Sequence, residues 1–274
     1  YMIITHKLAW DKCLSHKIFP LIEKGWKDDD RRIHFFWGLA GKNRGEIAKC
    51  VERKEEWYYI DIGYITDEIT RYPVPSITKP DTTYFRIVKG GLHTIRGKVG
   101  DGARLKRLQR EGLDAEFKGW YTGDTKHVLI CPSSPTVTRQ LNNMTQEDWI
   151  FEVKLELEKH TDRELIVRNK PRPGNEWWGT NIREQLKDCH CLVTNMSIAS
   201  VDAILNRVPV ITDGRNVAWA VASRNPKYVE KPFKPGKKTV LEWLKFITEQ
   251  QFTMDEIENG TAYKLLKEQG VVSD

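Results

Sequence analysis

The sequence has no uninterrupted apolar run approaching the length of a membrane span, and its first residues contain no apolar signal segment. Charged residues make up 30% of the 274 residues and hydrophobic residues 39%. These proportions are typical of a soluble globular protein, and the length suffices for one or two domains. We therefore expect a cytosolic protein that makes no contact with a membrane.

Cysteine is scarce, and its 5 residues are scattered along the chain. The one cluster, Cys189-His190-Cys191, lacks a second ligand pair at the spacing of a zinc site. Its alternation is typical of entry into a buried strand. The cysteine pattern therefore favours neither a metal site nor a set of disulfides.

Two nucleotide-binding signatures are also missing. A P-loop needs four residues between its glycines and a Ser or Thr after its lysine, whereas two residues separate Gly38 from Gly41, and Asn43 follows Lys42. Asp28–Asp30 lies in a charged loop and is not a DxD pair of the metal-dependent kind. We therefore expect no metal requirement. The glycine loop remains a flexible turn where backbone can approach a ligand closely.

The net charge of +6 permits an anionic partner such as a nucleotide or a nucleic acid. Four basic side chains fall along one short segment with helical spacing: Arg104, Lys106, Arg107 and Arg110. Such a run is either a solvated face or a contact with a phosphate backbone. The sequence leaves both interpretations open.

Short apolar runs alternate with amphipathic segments along the whole chain, which predicts an α/β protein. Gly119–Thr125 interrupts this alternation, so we place a domain boundary there, with halves at 1–125 and 126–274 and a pair of helices at the C-terminus. Two such halves leave a cleft between them. Clefts of that kind are common ligand sites.

The segment Asp188–Asp213 reads as strand, turn, helix and strand. Its strands are Cys191–Thr194 and Val208–Thr212, and the helix start between them should expose free backbone N–H groups that suit a diphosphate. The same spacing occurs in any βαβ crossover. Small polar side chains lie at the turn: Asn195, Ser197 and Ser200.

Asp61 is a lone carboxylate among aromatic and aliphatic residues near the C-terminal end of the predicted strand Trp57–Ile65. Ligands of open α/β sheets gather outside that end of the strands. Desolvation there would favour the neutral acid and bring its titration into a useful range for a general base. The alternative is a carboxylate that caps the following turn.

Three segments of the second half resemble the donor-binding half of a GT-B glycosyltransferase: Arg168–Pro171 (RNKP), Asn195–Asp202 (NMSIASVD) and Asn206–Ile211 (NRVPVI). In the first half, FFWGLAGKN, WYYIDIGY and YFRI are similar to phage-type proteins built on the same plan. The resemblance implies an α/β fold of two Rossmann-like domains facing a cleft, with C-terminal helices. Residues 1–125 would form the acceptor-side domain and 126–274 the nucleotide-sugar domain.

The resemblance also implies roles for individual residues. Asp61 would be the base that activates the acceptor, and Asp202 stands nearest to the family's hydroxyl-binding acid, although it is displaced from the usual glutamate pattern. Donor phosphates would be held by Arg168, Lys170 and Arg172 together with Asn195, Ser197 and Ser200. The acceptor would be met by Gly38, Lys42, Tyr64, Arg86 and His93.

The implied activity is metal-independent transfer of a sugar from a nucleotide-sugar, with a UDP-sugar as the expected donor. The expected acceptor is a hydroxymethylated base in phage DNA, which would place the protein in the host cytoplasm. One alternative is a non-catalytic nucleotide- or DNA-binding protein on a degenerate GT-B scaffold. Another is a sugar-nucleotide epimerase, which would need additional acids and histidines in the cleft, with His93, His127 and His190 as candidates.

Overall fold

The computed structural model describes residues 2–8, 13–27, 29–70, 76–95, 97–212 and 215–272. These residues form eleven β-strands. The strands are β1 (Met2–His6), β2 (Arg32–Trp37), β3 (Glu56–Ile62), β4 (Ile69–Thr70), β5 (Ser76–Ile77), β6 (Phe85–Lys89), β7 (His127–Ile130), β8 (Glu164–Val167), β9 (Cys189–Thr194), β10 (Val210–Thr212) and β11 (Gln251–Phe252).

The same residues form ten α-helices, and none of these is both long and apolar enough to cross a bilayer. In the sequence, Thr253 with Glu256 three residues later predicts a capping box, and the structure confirms this box at the start of the ninth helix. The helices are α1 (Ser15–Gly25), α2 (Asn43–Arg53), α3 (Ala103–Arg110), α4 (Pro135–Asn142), α5 (Gln146–Glu158), α6 (Ile182–Leu186), α7 (Ala199–Leu205), α8 (Lys237–Thr248), α9 (Met254–Glu258) and α10 (Thr261–Glu268).

The chain divides into two compact units that differ from the predicted halves 1–125 and 126–274. The first unit combines Tyr1–Asp114 with Leu244–Asp274, and the second is Ala115–Trp243. The C-terminal segment belongs to the first unit because β11 pairs with β6, with Phe252 opposite Phe85. A pairing between strands so far apart in sequence has no local signal.

The first unit contains a five-stranded sheet in the order β1-β2-β3-β6-β11. Strands β1, β2 and β3 are parallel, whereas β6 runs antiparallel to both β3 and β11. The apolar face of α1 packs into its core together with residues of the C-terminal segment. Helix α1 and the C-terminal segment approach so closely that a Cβ on Gly25 would overlap the carbonyl oxygen of Ile257.

The second unit contains a four-stranded, fully parallel sheet in the order β10-β9-β7-β8. The chain moves from β7 to β8 on one side and then returns to place β9 on the other side of β7. The strand order therefore reverses between β7 and β9, and this switch point is where open α/β sheets bind ligands. The core beneath it is formed by residues such as Val128, Trp149 and Val193.

The predicted segment Asp188–Asp213 forms β9, α7 and β10, except that Asp213 lies outside the described residues. The sequence of Asn216–Ser223 predicts a helix, but the structure has a short 3-10 turn there, Trp219–Val221. After that turn the chain pairs with β10. The Ser223 N–H donates to the Val210 carbonyl, and the Ser223 carbonyl accepts from the Thr212 N–H.

All five cysteines are buried free thiols. Cys189 and Cys191 are buried on β9 while His190 between them is partly exposed, which confirms the predicted strand alternation. Burial raises the pKa of the Cys189 thiol to about 12, so this thiol stays protonated and unreactive at neutral pH.

Candidate functional site

The loops that follow β7 and β9 are joined at the switch point by Asn195 and Ser133. The Asn195 Oδ1 atom accepts from the Ser133 N–H at 2.9 Å, and the Met196 N–H donates to the Ser133 Oγ at 3.0 Å. The Asn195 Nδ2 atom donates to Asn142 at 3.2 Å, and the whole side chain is buried. Asn195 thus shapes the edge of the site through contacts inside the protein.

The backbone N–H groups at the start of α7 are also used inside the protein. The Ser197 N–H donates to the Thr194 Oγ1 and the Ala199 N–H donates to the Ser197 Oγ, both at 3.2 Å. The N–H groups of Ser200 and Val201 donate to carbonyl oxygens at 3.4 Å and 2.8 Å. The expectation of free groups is wrong for these four, because two hydroxyls and two carbonyl oxygens of the turn accept from them.

Ser200 is fully buried, and its hydroxyl donates to the Asn216 Oδ1 at 2.7 Å. The Asn216 Nδ2 atom donates to the carbonyl oxygens of Asn195 and Ser197 at 3.2 Å and 2.9 Å. This network fixes the turn before α7. Ser200 therefore holds the turn in place, whereas the half-buried Ser197 lies nearer the surface.

Arg168 follows β8 and is buried at the same edge of the sheet. Its guanidinium donates to the Thr180 Oγ1 at 2.8 Å and to the Thr180 carbonyl at 3.1 Å, and it stacks on the Trp177 ring at 5.0 Å. Burial lowers the pKa of Arg168, while the negative charge of Asp202 opposes that shift. Thr180 and Trp177 therefore hold the Arg168 guanidinium at this edge of the sheet.

Lys170 and Arg172 lie in the loop beyond Arg168, and both side chains are exposed. Asn175 orders this loop, because its Nδ2 donates to the Lys170 carbonyl at 3.0 Å and its Oδ1 accepts from the Arg172 N–H at 3.2 Å. Trp178 in the same loop is 47% exposed. Two cations and an aromatic ring are thus presented to solvent beside the switch point.

In the first unit, Asp61 on β3 lies directly opposite Arg86 on β6. The Arg86 Nη2 donates to the Asp61 Oδ2 at 3.0 Å, and the same oxygen accepts from the Tyr59 hydroxyl at 3.0 Å. The backbone N–H of Ile62 donates to Oδ1 at 2.8 Å. The interpretation of Asp61 as a lone, desolvated acid is wrong, since a cation and two further donors contact a carboxylate that is partly open to solvent.

The Arg86 side chain is 6% exposed, whereas that of Asp61 is 32% exposed. Burial alone would lower the pKa of the guanidinium, but Asp61 and the neighbouring tyrosines outweigh burial and raise it. Arg86 also donates to the carbonyl oxygens of Ile62 and Leu92. The carboxylate is thus anchored from within and open to solvent on its other side.

The remaining residues predicted on the acceptor side fall into two groups. Tyr64 lies under the Arg86 guanidinium at 5.3 Å and stacks on His93 at 5.9 Å, so the structure brings both to the Asp61 cluster. Gly38 and Lys42 lie in the loop after β2. The pairing of Trp37 with Ile60 puts this loop at the level of Asp61, one strand away.

Two buried amides that shape this edge were not predicted from the sequence. The Asn43 Nδ2 donates to the carbonyl oxygens of Trp37 and Gly38 at 3.1 Å and 3.3 Å, which fixes the glycine loop. The Gln251 Oε1 accepts from the Tyr64 N–H at 2.8 Å. Asn43 is the first residue of α2 and its side chain does not cap that helix, so neither amide carries a recognisable local signal.

His127 and His190 lie at the opposite edge of the second sheet, at the starts of β7 and β9. A ring nitrogen of His127 is 2.8 Å from the Gln185 carbonyl, and one of His190 is 2.9 Å from the Val229 carbonyl. Both rings therefore have structural partners away from the switch point. An epimerase would need such groups at the carboxyl edge.

The basic run on α3 is divided between structure and surface. Arg104 and Arg107 contact the Glu256 carboxylate at 2.9 Å and 2.7 Å, which ties α3 to the C-terminal segment. Lys106 and Arg110 are exposed. Only part of the run is therefore available to a phosphate backbone.

In the charged loop Asp28–Asp30, one of the acidic side chains is buried instead of solvated. Asp28 lies outside the described residues, and Asp29 is buried, with its Oδ1 accepting from the Arg31 Nε at 2.8 Å. Arg31 also pairs with Glu56 at 3.2 Å. Asp29 is therefore part of a structural ion-pair network.

The fold is similar to those of two solved sugar transferases. One is the beta Kdo 2,7 transferase of Thermosulfurimonas dismutans KpsC, with a TM-score of 0.51 and 11% identity over 96% of this chain and 99% of that one. The other is the beta Kdo 2,4 transferase of the same organism's KpsC, with a TM-score of 0.52 and 14% identity over 89% of each chain. No protein-family model and no curated protein matches the sequence. Identities this low show a shared fold: a Rossmann-like α/β architecture also found in glycosyltransferases.

Proposed function

We propose that this protein is a glycosyltransferase that moves a sugar from a nucleotide-sugar donor to a hydroxyl acceptor. The observation that carries the proposal is the carboxyl edge of the second sheet, where the loops after β7 and β9 are joined at the switch point beside the cationic loop after β8. Ligands of open α/β sheets bind at such a point. The similarity of fold to two sugar transferases supports the same conclusion.

On the donor side, Lys170 and Arg172 are proposed to meet the phosphates, since both are exposed residues of the loop that follows β8. The buried Arg168 contributes positive potential from beneath the loop, where low solvent access strengthens its effect. Asp202 is proposed to accept a sugar or ribose hydroxyl. Asn195 and Ser200 hold the two loops in shape, and Ser197 is proposed to meet the donor phosphates.

On the acceptor side, Asp61 is proposed as the base. The acceptor oxygen attacks the anomeric carbon, the bond from that carbon to the donor phosphate breaks, and the nucleotide leaves with the electron pair. The hydroxyl proton passes to the Asp61 carboxylate, whose partial exposure lets a hydroxyl reach it. Arg86 orients this carboxylate, and Tyr64, His93, Gly38 and Lys42 are proposed to border the acceptor.

The identities of donor and acceptor are separate proposals. A UDP-sugar is the donor expected from the sequence, and the names of the structural neighbours add nucleotide-activated Kdo to the donors worth testing. DNA as acceptor is supported by the net charge of +6 alone, and α3 offers it only Lys106 and Arg110 as exposed cations. A phage origin is a prediction of the same kind.

The experiment is a thermal-shift screen against UDP-, GDP-, CDP- and ADP-linked sugars and nucleotide-activated Kdo, followed by a donor-hydrolysis assay with each hit. Selective binding by the folded protein raises its melting temperature, and the shift grows with the logarithm of the ligand excess over Kd. The variant Lys170→Ala/Arg172→Ala should reduce that shift. The matched control Lys159→Ala/Lys187→Ala, whose side chains are 64% and 70% exposed, should preserve it.

The result also separates the enzyme from a binding protein. Tight donor binding with neither hydrolysis nor transfer would favour the non-catalytic alternative, for which the ion pair between Asp61 and Arg86 is the supporting observation. A screen in which no nucleotide-sugar shifts the melting temperature would overturn the proposal.

A further inference from the structure

Three potential metal ligands meet in the first unit, away from the residues proposed for sugar transfer. The side-chain ligand atoms of His34, Cys50 and Glu55 all lie within 4.8 Å of one another. His34 and Cys50 are buried, and Glu55 is partly buried. Glu55 precedes β3 by one residue and Asp61 is six residues further on, so at the rise of a strand the cluster lies about 20 Å from Asp61.

The turn from α2 into β3 creates this cluster. Lys54 ends the helix in the left-handed conformation with a φ of 57°, and the Glu55 N–H donates to the Cys50 carbonyl at 2.9 Å. This reversal is the Schellman-type end of a helix. It returns Glu55 beside Cys50, and both then face His34 on the adjacent β2.

The Nε2 atom of His34 points into the cluster, and its surroundings leave it unsatisfied. It is buried and has no hydrogen-bond partner, although a Glu55 oxygen lies 3.3 Å away. Two ligands at about 2.1 Å from a tetrahedral zinc ion stand about 3.4 Å apart. The observed separation thus suits a shared metal better than a direct hydrogen bond.

We propose that His34, Cys50 and Glu55 form a zinc site, with a water molecule as the fourth ligand. One nitrogen, one thiolate and one carboxylate are a ligand set that zinc accepts in tetrahedral geometry. Binding replaces the Cys50 thiol proton, which is released to solvent, so the ion and the thiolate neutralise part of each other's charge. The site would fasten α2 to the sheet.

The surroundings orient two of the ligands. The Glu55 Oε1 atom lies 3.5 Å from the Arg32 Nε, and the Oε2 atom is the one turned toward His34. The His34 Nδ1 atom is 2.9 Å from the His6 Nε2. With the His6 Nε2 as acceptor of its Nδ1 proton, His34 presents Nε2 to the metal.

The test is metal analysis of the full chain followed by cobalt substitution. Protein purified from zinc-supplemented medium should contain one zinc ion per chain by elemental analysis. After removal of zinc by a chelator, Co²⁺ should produce the charge-transfer absorption of a cobalt–thiolate bond. Apoprotein that takes up neither ion at micromolar concentration would overturn the proposal.

Variants locate the site. Cys50→Ser should abolish the thiolate band and weaken zinc binding by at least about 100-fold, and His6→Phe should weaken it by about 10- to 100-fold through loss of the outer partner. Cys13→Ser alters another buried cysteine of the same unit and should leave binding unchanged. Equal losses in Cys50→Ser and Cys13→Ser would refute the assignment. If Cys50→Ser fails to fold, a wild-type cobalt spectrum without a thiolate band refutes it as well.

Discussion

The ion pair between Asp61 and Arg86 should stabilise the folded protein more than the partial exposure of Asp61 suggests. Asp61→Asn removes the negative charge but keeps an acceptor for Tyr59 and for the Ile62 N–H. The guanidinium then remains 6% exposed without a counter-charge. An uncompensated buried charge costs about 3–5 kcal/mol. Because the Asp61 side is 32% exposed and admits water, we expect a loss of about 2–3 kcal/mol.

The assay is a double-mutant cycle by urea denaturation with Asp61→Asn, Arg86→Met and the double variant. The double variant should be destabilised by at least about 1 kcal/mol less than the sum of the single variants, because the second change removes the stranded charge. Additivity within about 0.5 kcal/mol would refute the reasoning and show that water already screens the pair.

The same variants separate stability from catalysis. Asp61→Asn, assayed at a temperature where it is fully folded, should bind the donor with wild-type affinity and lose transfer by at least about 100-fold, the lower range for loss of a general base. Full activity in the folded variant would leave Asp61 with a structural role alone.

Three further changes test the fold, each by urea denaturation. The pKa of His6 is lowered from 6.5 to about 4 in the folded state, so the unfolded chain binds the proton more readily and stability should fall by about 1–2 kcal/mol as pH drops from 6.5 toward 4. In the presence of a metal chelator, His6→Phe should reduce this dependence of stability on pH. Part of the dependence should remain, because burial also lowers the pKa of His34. An unchanged pH dependence in the variant would contradict the reasoning. Glu256→Gln should cost about 2–3 kcal/mol because it removes the carboxylate that pairs with the largely buried Arg104, whereas Arg107 keeps its pair with Glu111. A cost below about 0.5 kcal/mol would contradict the importance of this ion pair. Gly25→Ala should cost at least about 2 kcal/mol because its Cβ meets a backbone carbonyl of α9, whereas the control Gly45→Ala, with open space around its Cβ, should be neutral or stabilising.

Sequence alone determined the features that depend on neighbours along the chain. The α/β alternation and strands such as β2, β3, β7 and β9 follow from apolar periodicity, because burial of one face acts within each segment. The capping box of Thr253 and Glu256 was predictable because both partners lie within one helical turn.

Tertiary structure decided the features that depend on contacts between distant segments. The antiparallel entry of β6 places Arg86 opposite Asp61, and the return of β11 moves the C-terminal segment into the first unit. The Thr194 hydroxyl accepts a hydrogen bond from the Ser197 N–H, a group that the local sequence pattern predicted to be free for a ligand. A cleft between the halves stays a prediction. Pairing register and hydrogen-bond competition are set by which segments meet in space, and for that reason the periodicity of a single segment does not contain them.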